Sequence, residues 1–480
     1  MTKVIHKGAF IVGAVGMMLV LFDFGFEQSA KTQKTLDNLL ILLLSMGLFS
    51  LLARYAFKPL TIKLTVLLFD AASMLFIAVV IMAQIISPEH YYYLFNLHND
   101  VWIGLAMVLI FVREVSVLNL DYKRATLNPA QLFITSFFSI ILIGTLILLL
   151  PNATHSGISF IDALFTSTSA VCVTGLIVVD TGSYFTLFGQ IVILILIQLG
   201  GLGILTFASY FSYFFKGGST YENQLVIGNM TNMEKLGEVF TTLKRILVTT
   251  FSIELAGAFM IYATLDKSQV TTFFERSFFS VFHSVSAFCN AGFSTLQNSL
   301  YEEGFRFNYS LQLVIISLVI IGGLGFPIVF NILKYIKYLA IQHLLKPARQ
   351  ESKNIPWVLN INSRITLITT LVLLVAGTLL FYLTEYQNTL AGHHGIGKLV
   401  VAFFSAATPR TAGFNTVETG LLHFNTLLII MFLMWIGASP GSTGGGIKTS
   451  TFAIAILNII SLAKGKSRIE VYRREIANVS

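Results

Sequence analysis

The chain has 480 residues, of which 55% are hydrophobic and only 11% are charged, and its formal net charge is +8. Soluble domains carry about 25% charged residues, so this chain has too few charges to cover the surface of a soluble protein of its size. A soluble enzyme, a nucleic-acid binder and a disordered scaffold are therefore disfavoured. The two cysteines are too few for a disulfide framework.

Ten apolar segments are predicted to span a membrane. A spanning helix needs about 20 apolar residues, because the hydrocarbon core is about 30 Å thick. Four predicted spans lie in the N-terminal part: 8–24, 36–56, 62–86 and 101–118. Six follow them: 131–150, 186–213, 246–264, 310–334, 365–384 and 424–458. The alternative for the first segment is a signal peptide, but it lacks a clear cleavage site and further spans follow, which favours a membrane helix.

The positions of the basic residues predict the topology of these spans. With the spans above, every basic cluster falls on one side of the membrane. The clusters are Lys3 with Lys7 and the segments 54–63, 113–124, 216–245, 334–364 and 464–474. Because loops rich in Lys and Arg stay in the cytoplasm, we predict a multi-pass protein of the cell inner membrane with a cytoplasmic N-terminus. The net charge is then a topology signal, which makes membrane lipid the expected partner and requires no nucleic acid.

Three segments between spans resemble one another. They are TSTSAVCVTGL at 166–176, HSVSAFCNAGFST at 283–295 and SAATPRTAGFNT at 405–416. Aligned on Gly175, Gly292 and Gly413, they lie 117 and 121 residues apart, and each follows a short amphipathic stretch. A near-constant spacing with matching flanks indicates an internal repeat. The predicted boundaries are 1–125 for N-terminal helices, 126–220, 221–345 and 346–465 for three pore repeats, and 466–480 for a cytoplasmic segment.

The repeated unit consists of a span, a short helix, a glycine turn and a second span. Non-helical backbone at membrane depth has to line a protein-enclosed or water-filled cavity. A short helix that leads into such a turn exposes carbonyl oxygens, and these can replace the water around a dehydrated cation. A single glycine is more often a helix cap, but three equivalent glycines on the same outer side favour a cation filter.

The motifs CNAGFST and RTAGFNT, with the Gly/Ser run before Ile447 and Lys448, resemble the TrkH/KtrB/HKT superfamily of potassium transporters over roughly residues 120–480. The resemblance implies an all-α polytopic membrane fold in which helix–pore helix–filter turn–helix units surround a pseudo-fourfold pore. Three units are present here, with about four additional N-terminal helices. The implied activity is potassium uptake, with K⁺ as the transported ion, no bound cofactor and no enzymatic reaction.

The resemblance also implies which residues bind the ion. The filter residues are Cys172, Val173, Thr174 and Gly175 in the first repeat, Asn290, Ala291 and Gly292 in the second, and Thr411, Ala412 and Gly413 in the third. In this superfamily glycine in every repeat accompanies K⁺ preference, whereas serine in the first repeat accompanies Na⁺. Glycine at position 175 therefore favours K⁺, and a sodium-permeable transporter of the same family is the alternative.

The segment 437–446 resembles the intramembrane gating loop of the superfamily and interrupts the last predicted span. Glycines weaken a helix, and the hydroxyl groups of this segment can satisfy the freed backbone groups. The implied gate residues are Gly437, Ser439, Gly441, Ser442, Gly444, Gly445, Gly446 and Lys448. Two roles are open for Lys448. Its positive charge can oppose cations near the ion path, or it can be a lysine at the inner membrane surface.

The repeat spacing places a fourth glycine near residue 532, beyond Ser480. Two explanations are open: the chain is a fragment that does not conduct by itself, or another subunit completes the pore. The resemblance further implies a homodimer regulated by a cytosolic nucleotide-binding ring, for which the basic segment 334–364 is the expected contact.

Several single residues are further candidates. Asp70 and Glu254 lie inside predicted spans, where an acid is a functional candidate by default, although Asp70 can equally pair with a basic residue near a helix end. Cys172 and Cys289 both stand three positions before the repeat glycine, and both are expected to be small buried residues. Arg410 occupies the same position in the third repeat. It is expected to pair with a carboxylate or with carbonyls behind the filter, because a bare positive charge would block a cation path.

Overall fold

The computed structural model describes residues 2–57, 64–86, 99–117, 129–203, 239–266, 270–340, 361–465, 469–471 and 474–476. Most of the basic segments 216–245 and 334–364 lies outside these described residues. The contact predicted there for a cytosolic ring therefore lies outside them as well.

Within the described residues, the first four helices of the chain are long and pack into one bundle. They are α1 (Thr2–Gly25), α2 (Ala30–Phe57), α3 (Leu64–Ile86) and α4 (Asn99–Val117). Their apolar side chains meet in a common core that includes Leu40, Leu44 and Ile103. The bundle also contacts the segment that follows α5 (Pro129–Leu148): the Asn152 side chain donates a hydrogen bond to the Phe24 carbonyl at 3.2 Å.

Three similar units follow. The first contains α5 (Pro129–Leu148), α6 (Phe160–Val171), the short α7 (Thr181–Tyr184) and α8 (Leu187–Gly201). The second contains α9 (Val239–Thr264), α10 (Phe273–Phe288), α11 (Tyr309–Leu324) and α12 (Phe326–Ala340). The third contains α13 (Ile361–Glu385), α14 (Ile396–Ala407), α15 (Phe424–Trp435) and α16 (Thr449–Ala463).

Short elements complete the described chain. Single 3₁₀ turns lie at Pro151–Ala153, Ser299–Tyr301 and Thr419–Leu421. A small antiparallel hairpin of β1 (Ile469–Val471) and β2 (Arg474–Ile476) follows α16, with Glu470 opposite Glu475. This hairpin is an addition to the predicted all-α architecture.

The middle helix of each unit is too short to cross a membrane. Helices α6 and α14 have 12 residues each and α10 has 16, below the roughly 20 that a span needs. Two of these helices have a start that is encoded locally: the Ser159 hydroxyl caps α6, and Thr272 with Glu275 forms a capping box at α10. Each middle helix packs against the first helix of its own unit and ends at its glycine turn.

Buried apolar side chains join the units into one body. Between the first and second units, Ile193 and Ile197 of α8 share a core with Phe282 of α10 and Phe293 beyond it. Between the second and third units, α11 packs on α14 in a core that also contains Phe414. The three glycine turns are therefore held by packing between units as well as within them.

Five helices within the described residues are long and apolar enough to cross a membrane: Gly8–Gly25, Ala30–Ala53, Leu67–Gln84, Lys244–Thr264 and Asn362–Glu385. The predicted span 310–334 is wrong as one straight helix, because α11 and α12 meet at an angle of 107°. The break lies at Gly325, whose φ is +81°, a value that cannot continue an α-helix. Residues 436–448 divide the predicted span 424–458, and the part of 186–213 beyond residue 203 lies outside the described residues.

Asp70 forms a buried ion pair inside the N-terminal bundle. Arg113 Nε and Nη2 donate to its two carboxylate oxygens at 2.5 and 2.7 Å. The Tyr55 hydroxyl donates to the same carboxylate at 2.5 Å. Of the two interpretations open from the sequence, pairing with a basic residue is thus the one observed.

We expect Asp70→Asn to destabilise the bundle by roughly 3–5 kcal/mol, because it leaves a largely buried guanidinium without its counter-charge. The thermal unfolding of the purified protein in detergent, followed by tryptophan fluorescence, measures this loss. The matched control is the double variant Asp70→Leu/Arg113→Met, which removes both charges and should recover most of the stability. A single variant that unfolds at the wild-type temperature would contradict a stabilising role for the pair.

Candidate ion filter and the loop beneath it

The three glycine turns share one unusual backbone conformation. In each turn the repeat glycine and the residue two positions before it both have a positive φ. The values are +54° at Val173 and +74° at Gly175, +60° at Asn290 and +73° at Gly292, and +87° at both Thr411 and Gly413. A positive φ is rare for a β-branched residue, and such strained residues persist only where the surrounding structure imposes them, often at functional sites.

Main-chain hydrogen bonds hold each turn on the end of its short helix. Thr174 N–H donates to Ser169 O at 2.8 Å, Ala291 N–H to Ser286 O at 2.8 Å, and Ala412 N–H to Thr408 O at 2.9 Å. Bonds of this kind close a helix C-terminus around a left-handed residue. They use the amide groups of the turns and leave the turn carbonyls available for another partner.

Hydroxyl groups brace two of the turns from behind. Ser286 Oγ donates to Phe293 O at 2.7 Å, and Thr408 Oγ1 donates to Phe414 O at 2.8 Å. In the first turn the hydroxyl of Ser169 is buried without a hydrogen-bond partner among the described residues. The second and third turns are therefore the more firmly held.

Neighbouring turns lie against one another at the repeat glycines. A methyl group on Gly175 would collide with the carbonyl oxygen of Ala291, and one on Gly292 would collide with that of Ala412. Around Gly413 such a group would meet only Gly292 Cα, at 3.6 Å, among the described residues. Glycine is thus required at positions 175 and 292 both by the positive φ and by the close approach of the next turn.

The structure brings Val173, Thr174, Gly175, Asn290, Ala291, Gly292, Thr411, Ala412 and Gly413 into these adjoining turns. Cys289 is buried, as expected, and packs against Gly201 of α8. The expectation that Cys172 is buried is wrong, because its side chain is exposed. The difference between the two positions is that Gly201 of α8 lies directly against the Cys289 side chain, whereas the Cys172 side chain stays exposed.

Glu254 lies behind the second turn. Gln198 Nε2 donates to both of its carboxylate oxygens, at 3.1 and 3.2 Å, and Cys289 Sγ lies 3.8 Å from one of them. Ser284 Oγ donates to the Glu254 carbonyl at 2.6 Å. These contacts tie α8, α9 and α10 together, so this acid supports the second turn from behind.

Residues 436–448 form a loop with a closed base, which we call the unit-3 loop. Its base is closed by three main-chain hydrogen bonds: Ala438 N–H to Gly445 O at 3.1 Å, Ile447 N–H to Trp435 O at 3.3 Å and Thr449 N–H to Ala438 O at 3.3 Å. Gly437 faces Gly445 and Gly446 so closely that a methyl group there would collide with the Gly445 carbonyl. The glycines at the base therefore permit its two sides to meet.

The tip of the unit-3 loop, residues 439–444, docks on the second unit where α11 breaks. Ser439 N–H donates to Gly323 O at 2.9 Å, and Phe326 N–H donates to Gly441 O at 3.1 Å. A methyl group on Gly325 would lie 2.8 Å from Pro440 O and 3.0 Å from Ser442 N. The break in α11 thus creates the surface that receives the loop.

The same tip lies directly against two of the glycine turns. Thr443 Oγ1 is 2.8 Å from the Asn290 side-chain amide and donates to Phe288 O at 3.3 Å. A methyl group on Gly444 would collide with Thr411 Oγ1. Lys448 Nζ donates to Gly444 O at 2.8 Å, so this lysine is folded onto the loop.

The helix after the turn is interrupted in the second and third units, and in the first unit α8 ends at Gly201, two residues before a glycine with a positive φ. Positive φ values occur at Gly203 (+70°), Gly325 (+81°) and Gly441 (+71°), which are the last residues of the related sequences QLGGLG, IGGLG and IGASPG. The sequence predicted an interruption only in the third unit. The final glycine that QLGGLG and IGGLG share was the sequence feature that could have indicated these positions in the first and second units.

The comparisons with known proteins agree with this architecture. The family TrkH, described as a cation transport protein, matches residues 98–478. Ktr system potassium uptake protein B of Bacillus subtilis is 35% identical over 356 residues, which cover 74% of this chain and 75% of that protein. Potassium/sodium uptake protein NtpJ of Enterococcus hirae is 36% identical over 356 residues, which cover 74% of each chain.

A solved structure supports the fold. The crystal structure of the potassium transporter TrkH from Vibrio parahaemolyticus matches with a TM-score of 0.54 and 18% sequence identity, covering 85% of this chain and 77% of that one. This match confirms the predicted all-helical, multi-pass membrane fold. The family match also confirms that the chain is a transporter and not an enzyme. The chain therefore belongs to the TrkH family of cation transport proteins.

Proposed function

We propose that this protein takes up K⁺ across the cell inner membrane through a filter of backbone carbonyls. The observation that carries the proposal is the repeated turn, in which a positive-φ glycine at position 175 or 292 lies against a carbonyl of the next turn. Carbonyl oxygens in rings can replace the hydration shell of K⁺. Because the turns expose main chain, ion binding needs no charged side chain at the filter and no cofactor.

The proposed filter consists of the turn residues predicted from the sequence. It comprises Cys172, Val173, Thr174 and Gly175, then Asn290, Ala291 and Gly292, then Thr411, Ala412 and Gly413. The amide bonds of the turns to their short helices support this assignment, because they fix the backbone without using the turn carbonyls. K⁺ is the transported substrate in this proposal.

We further propose that the unit-3 loop is the gate. Its contacts with Asn290 and Thr411 support this role, because they place the tip against two filter turns. The gate residues are those predicted: Gly437, Ser439, Gly441, Ser442, Gly444, Gly445, Gly446 and Lys448. Opening then requires the tip to leave the filter while the two helices flanking the loop remain in place.

Sodium permeability is the second candidate, and one relative favours it. The name of the Enterococcus hirae relative includes both potassium and sodium. Glycine at position 175 favours K⁺ by the resemblance described above. Competition between the two ions distinguishes the candidates.

The proposed assembly is a homodimer with a cytosolic nucleotide-binding ring and a cytoplasmic N-terminus. The relatives named as parts of a Ktr system support the expectation of further subunits. The basic segment 334–364 is the proposed contact for the ring, because it carries a cluster of positive charge on the side predicted to face the cytoplasm.

The proposed function is tested by rescue of a K⁺-uptake-deficient bacterium on low-K⁺ medium with the full-length protein. The purified protein in liposomes is then assayed for Rb⁺ influx with K⁺ or Na⁺ as competitor. Rescue, together with stronger competition by K⁺ than by Na⁺, would support the proposal. Well-expressed protein that gives no rescue, or flux on which Na⁺ competes as strongly as K⁺, would overturn the K⁺ assignment.

A further inference from the structure

Arg410 links the third filter turn to the base of the unit-3 loop. Its Nη2 donates to the Gly437 carbonyl at 3.2 Å and to Thr449 Oγ1 at 3.1 Å. Gly437 is the second residue after α15, and Thr449 is the first residue of α16. One guanidinium group therefore contacts both sides of the loop base. Of the two kinds of partner expected from the sequence, carbonyl or carboxylate, the observed one is a carbonyl.

The contact is reinforced by the two acceptors themselves. Thr449 Oγ1 also donates to Gly437 O at 3.1 Å, so the three groups form a closed triangle. Thr449 is fully buried, and hydrogen bonds from a charged donor are stronger in such surroundings than neutral ones. Arg410 directly precedes Thr411 in the chain, and Thr411 adjoins the loop tip at Gly444.

A cavity of about 20 Å³ lies beside Arg410, lined also by Gly323, Thr370 and Ala438. Such a volume is enough for about one water molecule.

We infer that Arg410 is a positioning residue for the gate, one that acts through the unit-3 loop and keeps it beneath the filter. The inference rests on the proposed gating role of this loop. The repeat supports a specialised role, because the equivalent positions 172 and 289 hold cysteine and only the unit with the loop has arginine. Loss of the guanidinium group should release the loop base without removing any filter carbonyl.

The test compares Arg410→Gln and Arg410→Lys, each combined with the reporter Ser442→Cys in the loop tip. Modification of position 442 by a water-soluble thiol reagent is measured in the purified full-length protein, and peptide mass spectrometry separates it from modification of Cys172. We expect Arg410→Gln to raise the modification rate roughly 10-fold, the factor that corresponds to about 1.4 kcal/mol. Arg410→Lys, which keeps one charged donor, should give a smaller increase.

The matched control is Thr449→Val, which removes one acceptor and leaves the bond from Arg410 to Gly437. It should give a smaller increase than Arg410→Gln, and the double variant should not exceed Arg410→Gln alone. An unchanged modification rate in folded Arg410→Gln protein, or equal rates for the glutamine and lysine variants, would overturn the inference. The labelling requires no ion flux, so failure of K⁺ rescue counts against the proposed function and leaves this test intact.

Discussion

Replacing Gly292 with alanine is expected to lower K⁺ influx by roughly 100-fold, a change of about 2.7 kcal/mol. Two effects add at this position. Alanine at a φ of +73° costs roughly 1–2 kcal/mol, and its methyl group would collide with the carbonyl oxygen of Ala412. That carbonyl belongs to the proposed filter, so the collision displaces a group that replaces the water of the ion. Rb⁺ influx into liposomes measures the loss.

Gly157→Ala is the matched control for this prediction. Gly157 has nearly the same φ, +78°, but a methyl group there meets no atom within 4 Å. It therefore introduces the backbone strain without the collision, and its influx should remain near the wild-type value. Equal losses in the two variants would show that backbone strain alone is responsible, and wild-type influx in Gly292→Ala protein would contradict the filter assignment.

Deleting residues 440–443 should raise K⁺ influx by about 10-fold, because it removes the middle four residues of the loop tip and keeps the loop base. The deletion eliminates the bond from Phe326 N–H to Gly441 O and the contact of Thr443 with Asn290. Each such bond contributes about 1 kcal/mol to the docked position. Ala438 and Gly445 can still pair across the shortened turn. The initial rate of Rb⁺ influx at fixed protein content is the measurement.

Adjacent glycines provide a finer comparison for the gate. A methyl group on Gly444 would collide with Thr411 Oγ1, whereas one on Gly445 meets nothing within 4 Å. Gly444→Ala should therefore raise K⁺ influx, as the deletion does. Gly445→Ala should leave K⁺ influx at the wild-type value. If the deletion variant folds and its influx is unchanged or reduced, the loop is not the barrier to the ion.

The sequence predicted a multi-pass, all-helical membrane protein, which the family and structure matches confirm. The boundaries of the three units stay a prediction. The thickness of the bilayer sets the length of apolar sequence that a spanning helix needs, so composition and apolar length indicate a membrane protein without a structure. The turns were found because Gly175, Gly292 and Gly413 recur at nearly equal spacing. The assignment of these residues to a filter and a gate stays a proposal.

Other features depended on neighbours that are distant along the chain. The positive φ of Val173 and Thr411 could not be read from β-branched residues, which disfavour that conformation. The exposure of Cys172 and the burial of Cys289 differ although the two positions are equivalent, because Gly201 of α8 lies directly against the Cys289 side chain. The pairing of Asp70 with Arg113 likewise required the packing of α3 on α4.

The sequence by itself determined that this is a multi-pass protein with repeated glycine turns, because apolar length and glycine spacing are local properties of the chain. Only the tertiary structure decided where the unit-3 loop lies and what holds it. Its tip docks at the break beside Gly325, and its base is bound by Arg410. Those contacts join residues from different units, and their geometry follows from the packing of whole helices and not from any one segment.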